Sequence, residues 1–324
     1  MKSDVFFLVY HSVSNCKFVP PELGLTVSPR RFKWHLKTLK TFFNVISLDR
    51  AVKILSDEIP PVPRAVVVNF DDGYRDNREN AFPMLKKYNI PATIFLTTGL
   101  IGTENRIWLN ELYWDFHRTK VPLMKLTNDK GECFTYSLST TAGKKEALFA
   151  ARNVLKNCSG NFRNHLLGDL TDQLRQDVDE KDSDALKMLS WDQITEMARN
   201  NITFGSHTVN HLILSDETEA TQEYEIRLSK EIIEKETGQA VDVFAYPGNS
   251  GKGFNQRTKE IIKRSGYTAS CLFSTGTGFN EVGCDLFELK RAEVLRSSFC
   301  LYLELIGTRE RISKMRRRRK AVGL

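Results

Sequence analysis

The 324-residue chain is 41% hydrophobic and 27% charged, which is typical of a soluble globular protein, and no apolar run approaches the length needed to cross a bilayer. Its net charge is +7, but eight basic residues and one acidic residue between positions 309 and 320 account for all of that excess. The rest of the chain is neutral, so the net positive charge is a property of the basic carboxyl-terminal tail. We expect no nucleic-acid partner.

The amino terminus and the cysteines indicate the compartment. The apolar run at residues 5–10 is too short for a signal peptide, and no small-residue cleavage site follows it. Six cysteines show no close pairing or Cys-x-x-Cys spacing, so we expect free thiols in a reducing environment. Both observations favour a cytoplasmic protein.

Short apolar runs alternate with helical patterns along the chain, which favours βα units. The predicted strands are 5–10, 44–48, 65–70, 92–96, 202–205, 241–246 and 267–272. Helices are predicted from the Ser28-Pro29 cap, from Ser190, and over 217–237 before Gly238. Seven strands of this kind suit a βα barrel within residues 1–308. The polar stretch 99–189 exceeds what two βα units need, and it predicts a helical insertion.

Two adjacent carboxylates, Asp71 and Asp72, end the predicted strand 65–70. Like charges side by side need a compensating cation or hydrogen bonds. His207 and His211 are four residues apart, so one helical turn would bring both imidazoles to one point. Together Asp72, His207 and His211 predict a divalent metal site, with Asp71 as a neighbouring base. Zn²⁺ suits these ligands best, and Co²⁺, Mn²⁺ and Ni²⁺ are alternatives.

The placement of these residues supports one site. His11, Asp71-Asp72, His207 and Gly248 each follow a predicted strand. In βα barrels the carboxyl ends of the strands carry the chemistry, so these four segments are expected to meet at one face.

The motifs Asn-Phe-Asp-Asp-Gly (69–73) and Ser-His-Thr-Val-Asn-His (206–211) resemble the first two motifs of the polysaccharide deacetylases, the NodB-homology group of carbohydrate esterase family four. Phe-Ala-Tyr-Pro-Gly (244–248) is similar to the third motif of a subgroup. The resemblance implies an α/β fold, an irregular, incompletely closed seven-stranded barrel with the insertion. It also implies a metal-dependent hydrolase that removes N-acetyl groups from a glycan or a lipid-linked sugar.

The resemblance assigns further residues. Arg291 matches a late arginine of the subgroup that would hold Asp71 ionised; the alternative is an exposed surface arginine. His11 matches an early Tyr-His and is a candidate for substrate or proton handling; the alternative is a buried histidine at the end of the first strand. The Gly248 N–H could face an oxyanion, or residues 246–248 could form an ordinary turn. No histidine follows His211, so the usual late general acid is missing.

Two other functions stay open: hydrolysis of a small non-sugar amide, and an inactive barrel that serves as a binding module in glycan assembly. For the tail, 309–324, we expect either a solvated end or attachment to an anionic membrane surface at the cytoplasmic face.

Overall fold

The computed structural model describes residues 4–16, 19, 25–158, 160–176, 186–249, 253–274, 276–293 and 298–307. These residues form two compact units. Met1–Asn15, Gly24–Glu104 and Lys187–Leu324 bound the first unit, and Cys16–Leu23 and Asn105–Leu186 bound the second. The expected boundary at 308 and the basic tail 309–324 lie outside the described residues.

The described residues contain eleven strands and ten α-helices. The strands are β1 (Val5–Tyr10), β2 (Asn44–Val45), β3 (Ala65–Phe70), β4 (Ala92–Leu96), β5 (Leu123–Thr127), β6 (Cys133–Ser137), β7 (Ile202–Ser206), β8 (Val243–Asn249), β9 (Ala269–Phe273), β10 (Phe279–Asn280) and β11 (Leu289–Arg291). The helices are α1 (Pro29–Phe42), α2 (Leu48–Leu55), α3 (Phe82–Tyr88), α4 (Trp108–Arg118), α5 (Thr141–Asn157), α6 (Gly160–Leu174), α7 (Trp191–Ala198), α8 (Glu219–Thr237), α9 (Gln256–Arg264) and α10 (Ser298–Leu305).

Seven parallel strands of the first unit form a nearly closed barrel sheet in the order β1-β3-β4-β7-β8-β9-β11. Ala292, directly after β11, exchanges backbone hydrogen bonds with Phe7 and Val9 of β1 at 3.0 and 3.2 Å, which brings the two edges together. The short β2 and the antiparallel β10 add to the sheet beside β3 and β1. The predicted α/β barrel is confirmed.

The predicted strand 44–48 is much shorter in the structure, while the strands predicted at 202–205, 241–246 and 267–272 differ by one to three residues at their ends. Of the stretch 44–48, only Asn44–Val45 pairs with β3, because Ser47 caps α2 by accepting a hydrogen bond from the Arg50 N–H. The seventh barrel strand is instead β11, whose three residues are too few to show a period in the sequence.

The barrel interior changes from apolar to polar toward the carboxyl ends of the strands. Strand register and the alternation of side chains place every second residue of each strand inside. Side chains near the amino ends, including Ala65, Ala269 and Leu289, pack in one buried cluster with α2. Further along the same face come Asn69, His207 and Arg291, all buried. The barrel therefore presents its polar side chains at one end.

The second unit holds α4, α5, α6 and an antiparallel hairpin of β5 and β6. The sequence predicted only helices for this stretch. It did not predict the hairpin, because the two strands expose most of their side chains and lack a long apolar run. Asp115 of α4 is buried and accepts hydrogen bonds from Arg118 and Arg175, which ties α4 to α6 and the residue after it. Among the described helices of either unit, none has both the length and the apolar character needed to cross a bilayer.

Candidate active site

The turn after β3 separates the two adjacent carboxylates. Asp71 continues the pairing with β1 by donating its backbone N–H to the Tyr10 carbonyl at 2.9 Å. Asp72 then takes a left-handed backbone conformation, with φ of 76°, and Gly73 follows with φ of 87°. A Cβ on Gly73 would lie 2.9 Å from the Leu96 side chain, so the turn requires glycine. Such strained backbone is typical of functional sites.

His207 and His211 meet through a loop. The expected helical turn is wrong: β7 ends at Ser206, and both Thr208 and His211 have positive φ, of 66° and 57°. The Thr208 hydroxyl accepts the His211 N–H at 2.8 Å, and buried Glu225 of α8 accepts the backbone N–H groups of Val209 and Asn210, each at 2.8 Å. These hydrogen bonds replace those of a helix and fix the loop.

Asp72, His207 and His211 form a cluster that could hold a metal ion. Asp72 Oδ1 lies 3.5 Å from His207 Nε2 and 3.4 Å from His211 Nε2, and this buried oxygen has no hydrogen-bond donor among the residues that the structure describes. Two ligands each about 2.0–2.1 Å from a tetrahedral ion lie about 3.3 Å apart, so the spacing fits. The Ala245 carbonyl accepts the His207 Nδ1–H at 2.8 Å, which orients the ring with its Nε2 toward the cluster.

The cluster has the electrostatics of a cation site. Burial raises the pKa of Asp72, but the His207 and His211 side chains outweigh this and hold it well below its usual range. Burial lowers the pKa of His211 despite the Asp72 carboxylate nearby. The site thus offers an ionised carboxylate and a neutral imidazole, the protonation states that a divalent metal requires.

Asp71 is paired with Arg291. The guanidinium donates two hydrogen bonds, from Nη1 to Oδ1 at 2.5 Å and from Nη2 to Oδ2 at 2.8 Å, and Arg291 is fully buried. Its guanidinium carbon also lies 5.1 Å from the centre of the Phe95 ring. Burial raises the pKa of Asp71, but Arg291 more than offsets it, so the pKa lies below its ordinary value. The exposed-arginine alternative is wrong.

His11 follows β1 and forms an ion pair with Glu293. The distance from Nδ1 to Glu293 Oε1 is 3.0 Å, and the two side chains are 18% and 17% exposed. Burial lowers the pKa of His11, but Glu293 and, more weakly, Asp72 and Asp71 raise it to about 9. His11 is therefore an imidazolium at neutral pH.

Asp76 holds the chain around His11. It accepts hydrogen bonds from the Ser12 hydroxyl at 2.6 Å and from the Val13 N–H at 2.9 Å, and Asn77 donates to the His11 carbonyl at 2.8 Å.

Gly248 lies in β8, three residues after the Ala245 carbonyl that orients His207. Its φ is 96°, and the register between β8 and β9 shifts at this point. A Cβ on Gly248 would lie 3.0 Å from the Ile213 side chain. The bulged backbone here needs glycine.

The family model described as polysaccharide deacetylase matches residues 59–270. The chain belongs to this family. A Bacillus subtilis relative, YxkH, named for the same family, is 22% identical over 302 residues, which is 92% of this chain and 75% of that protein. A Staphylococcus epidermidis poly-β-1,6-N-acetyl-D-glucosamine N-deacetylase is 32% identical over 148 residues, or 41% of this chain. That match spans only about half, 51%, of the relative's length.

Solved structures share the fold of this deacetylase family member. The Streptococcus pyogenes deacetylase PplD, in complex with acetate, aligns with a TM-score of 0.61 at 21% identity over 94% of this chain and 99% of its own. IcaB from Ammonifex degensii aligns with a TM-score of 0.55 at 18% identity over 93% of this chain and 97% of its own. At these identities the likeness concerns the fold alone.

The sequence analysis did not identify three groups that contact the predicted site residues or the loop that carries them. These are Glu293, Glu225 and the Ala245 carbonyl. For Glu293 a signal existed, because it lies two residues after Arg291 and strand alternation places both on one face. Glu225 lies on a helix otherwise rich in exposed glutamates, so nothing in the sequence distinguishes it.

Proposed function

We propose that this family member is a metal-dependent hydrolase that removes N-acetyl groups from a glycan. One observation carries the proposal: Asp72 Oδ1, which no donor in the described part of the chain reaches, lies at ligand spacing from two imidazoles, beside a second carboxylate held by Arg291. The staphylococcal relative's name suggests poly-β-1,6-N-acetylglucosamine as the first substrate to test. A lipid-linked N-acetyl sugar is the second.

In this proposal Asp72, His207 and His211 hold a divalent cation, with Zn²⁺ the first choice for these ligands. When bound, the cation would polarise the amide carbonyl and stabilise the negative charge that develops on its oxygen.

Asp71 would act as the general base on the attacking water. Arg291 keeps Asp71 ionised and fixes the plane of its carboxylate. A carboxylate has about four lone-pair sites, so the two hydrogen bonds from Arg291 leave room for a proton.

The chain lacks the late histidine that usually donates a proton to the leaving amine, and His11 would take this role. It is charged at neutral pH, and its Nδ1 is engaged by Glu293, which leaves Nε2 to protonate the departing amine. Gly248 would contribute its backbone N–H to the oxyanion.

Two neighbouring substitutions test this division of roles. Asp71→Asn should lower acetate release about 10²- to 10⁴-fold while the affinity for Zn²⁺ stays unchanged, because only the base is removed. Asp72→Asn should instead weaken Zn²⁺ binding by more than about tenfold. Acetate release from the β-1,6-linked polymer and from chito-oligosaccharides, with calorimetric Zn²⁺ titration, measures both. Equal loss of Zn²⁺ affinity in the two variants would contradict the assignment.

We also propose that the protein works in the cytoplasm at the inner face of the membrane. The eight basic residues between 309 and 320 support this location, since each basic residue near an anionic surface contributes about 1 kcal/mol. Vesicle co-sedimentation should show weaker binding when Arg316–Arg319 are replaced by serine. Equal vesicle binding by the variant and the parent would show that the tail does not attach the protein to the membrane.

A further inference from the structure

Helix α1 exposes a basic face with a tryptophan at its centre. The helix contains five basic residues and no acidic residue: Arg30, Arg31, Lys33, Lys37 and Lys40. Its buried stripe is Phe32, His35, Leu36 and Leu39. At 100° per residue, Arg30, Trp34 and Lys37 fall opposite that stripe. Trp34 is 51% exposed, and the Lys37 ammonium lies 4.5 Å from its ring centre.

Helix α10 packs against the carboxyl-terminal end of α1 and carries exposed apolar side chains. Its Tyr302 contacts the end of α1, with ring centres 5.3 Å from Phe42 and 6.0 Å from Phe43. Leu301 and Leu305 are buried, whereas Phe299 is 69% exposed. Ile306, directly after the helix, is 37% exposed. We call Arg30, Trp34, Lys37, Phe299 and Ile306 together the α1–α10 face.

The chain continues from the α1–α10 face into its most basic segment. Ile306 is followed, after two residues, by positions 309–320 with eight basic residues and one acidic residue. Helix α1, with a charge of +5, and the segment 309–320, with +7, thus carry two concentrations of positive charge, whereas the rest of the chain has a net charge of −5. A partner that covers this face has to be anionic and has to accept apolar side chains.

We propose that the α1–α10 face docks on an anionic lipid bilayer. Its lysines and arginines would pair with lipid phosphates, while Trp34 and Phe299 enter the interfacial region. A nucleic acid would match the charge but would gain little from Phe299 and Ile306. The inference deepens the membrane location proposed for the tail, because it adds a folded surface that fixes how the barrel meets the bilayer.

The first test measures binding of the full chain to phosphatidylcholine vesicles with and without phosphatidylglycerol. The parent should bind only the anionic vesicles. The double variant Arg30→Ser, Lys37→Ser should bind them more weakly, by about fivefold for each charge removed. Arg227→Ser removes an exposed arginine from α8 of the same unit and should leave vesicle binding unchanged.

The second test locates Trp34 relative to the bilayer. Brominated lipids quench only tryptophans that reach the membrane, so they should quench the parent and the Trp191→Phe control alike. Trp34→Phe should lose most of that quenching. Because Trp34 is half exposed, replacing it should leave the fold intact, which far-ultraviolet circular dichroism checks.

The outcomes separate the face from the tail and from catalysis. If the Arg316–Arg319 variant loses vesicle binding while the α1 variant binds like the parent, the tail alone attaches the protein and the face proposal is wrong. If the α1 variant loses affinity for double-stranded DNA but keeps its affinity for vesicles, the partner is a nucleic acid and the proposal is again wrong. Neither assay uses the reaction, so a failure of the proposed deacetylation leaves both informative.

Discussion

Replacing Glu293 by glutamine should change how the stability of the metal-free protein depends on pH. In the folded protein the pKa of His11 is raised from 6.5 to about 9, chiefly by Glu293 acting against burial. A raised pKa means that folding favours the imidazolium, so the stabilisation is complete below pH 6.5 and is lost as the pH rises toward 9. At about 1.4 kcal/mol per pH unit, the pair contributes about 3 kcal/mol.

The Glu293→Gln variant removes the carboxylate and leaves burial, which lowers the pKa of His11. We therefore expect the variant to be about 3 kcal/mol less stable than the parent near pH 6, with the difference closing above about pH 9. Urea unfolding at a series of pH values, in the presence of a chelator, measures this free energy.

Lys156 titrates in the same range, since burial lowers its pKa to about 8. Its contribution is the same in both proteins and cancels in the difference between parent and variant. A difference that stays constant across the whole pH series would refute the inferred charge state of His11.

Two other substitutions test the site through its supporting contacts. Arg291→Met removes the cation that is hydrogen-bonded to the buried Asp71 carboxylate, and we expect a loss of about 3–5 kcal/mol in unfolding free energy. The acidic limb of the pH–rate profile should move to higher pH, because Arg291 is the strongest of the groups that oppose the rise of the Asp71 pKa caused by burial. Glu225→Ala removes the acceptor for the Val209 and Asn210 N–H groups; calorimetry should show Zn²⁺ binding weakened about 10- to 100-fold, with Glu225→Gln less affected because its carbonyl oxygen can still accept. An unchanged acidic limb or an unchanged Zn²⁺ affinity would show that these contacts only support the fold.

The sequence predicted the strands that bury both faces and missed the features that depend on closure of the barrel. The apolar runs of β1, β3 and β4 have the predicted bounds, because six or five consecutive buried residues are visible without tertiary information. β11 has three residues that pair with β9, and Ala292 directly after it closes the barrel against β1. Its assignment therefore required the structure.

The two histidines lie close together, but not on a helical turn. Their four-residue spacing predicted a shared ligand point, but on a helix. In the structure the left-handed Thr208 and His211, together with Glu225, bring the imidazoles together on a loop. Backbone conformations with positive φ at non-glycine residues leave little trace in a sequence, so the geometry of such a loop has to be seen.

Among the three carboxylates Asp71, Asp72 and Glu293, only Asp72 lacks an arginine or a protonated histidine that neutralises it. Asp71 is neutralised by Arg291, and Glu293 is neutralised by the protonated His11. Asp72 remains, ionised, buried and with an Oδ1 that no donor among the described residues reaches. A buried carboxylate in this state is costly unless a cation compensates it. Because the other two carboxylates already have fixed partners, an added divalent ion would go to Asp72, and Asp71 would keep its lone pairs for a proton.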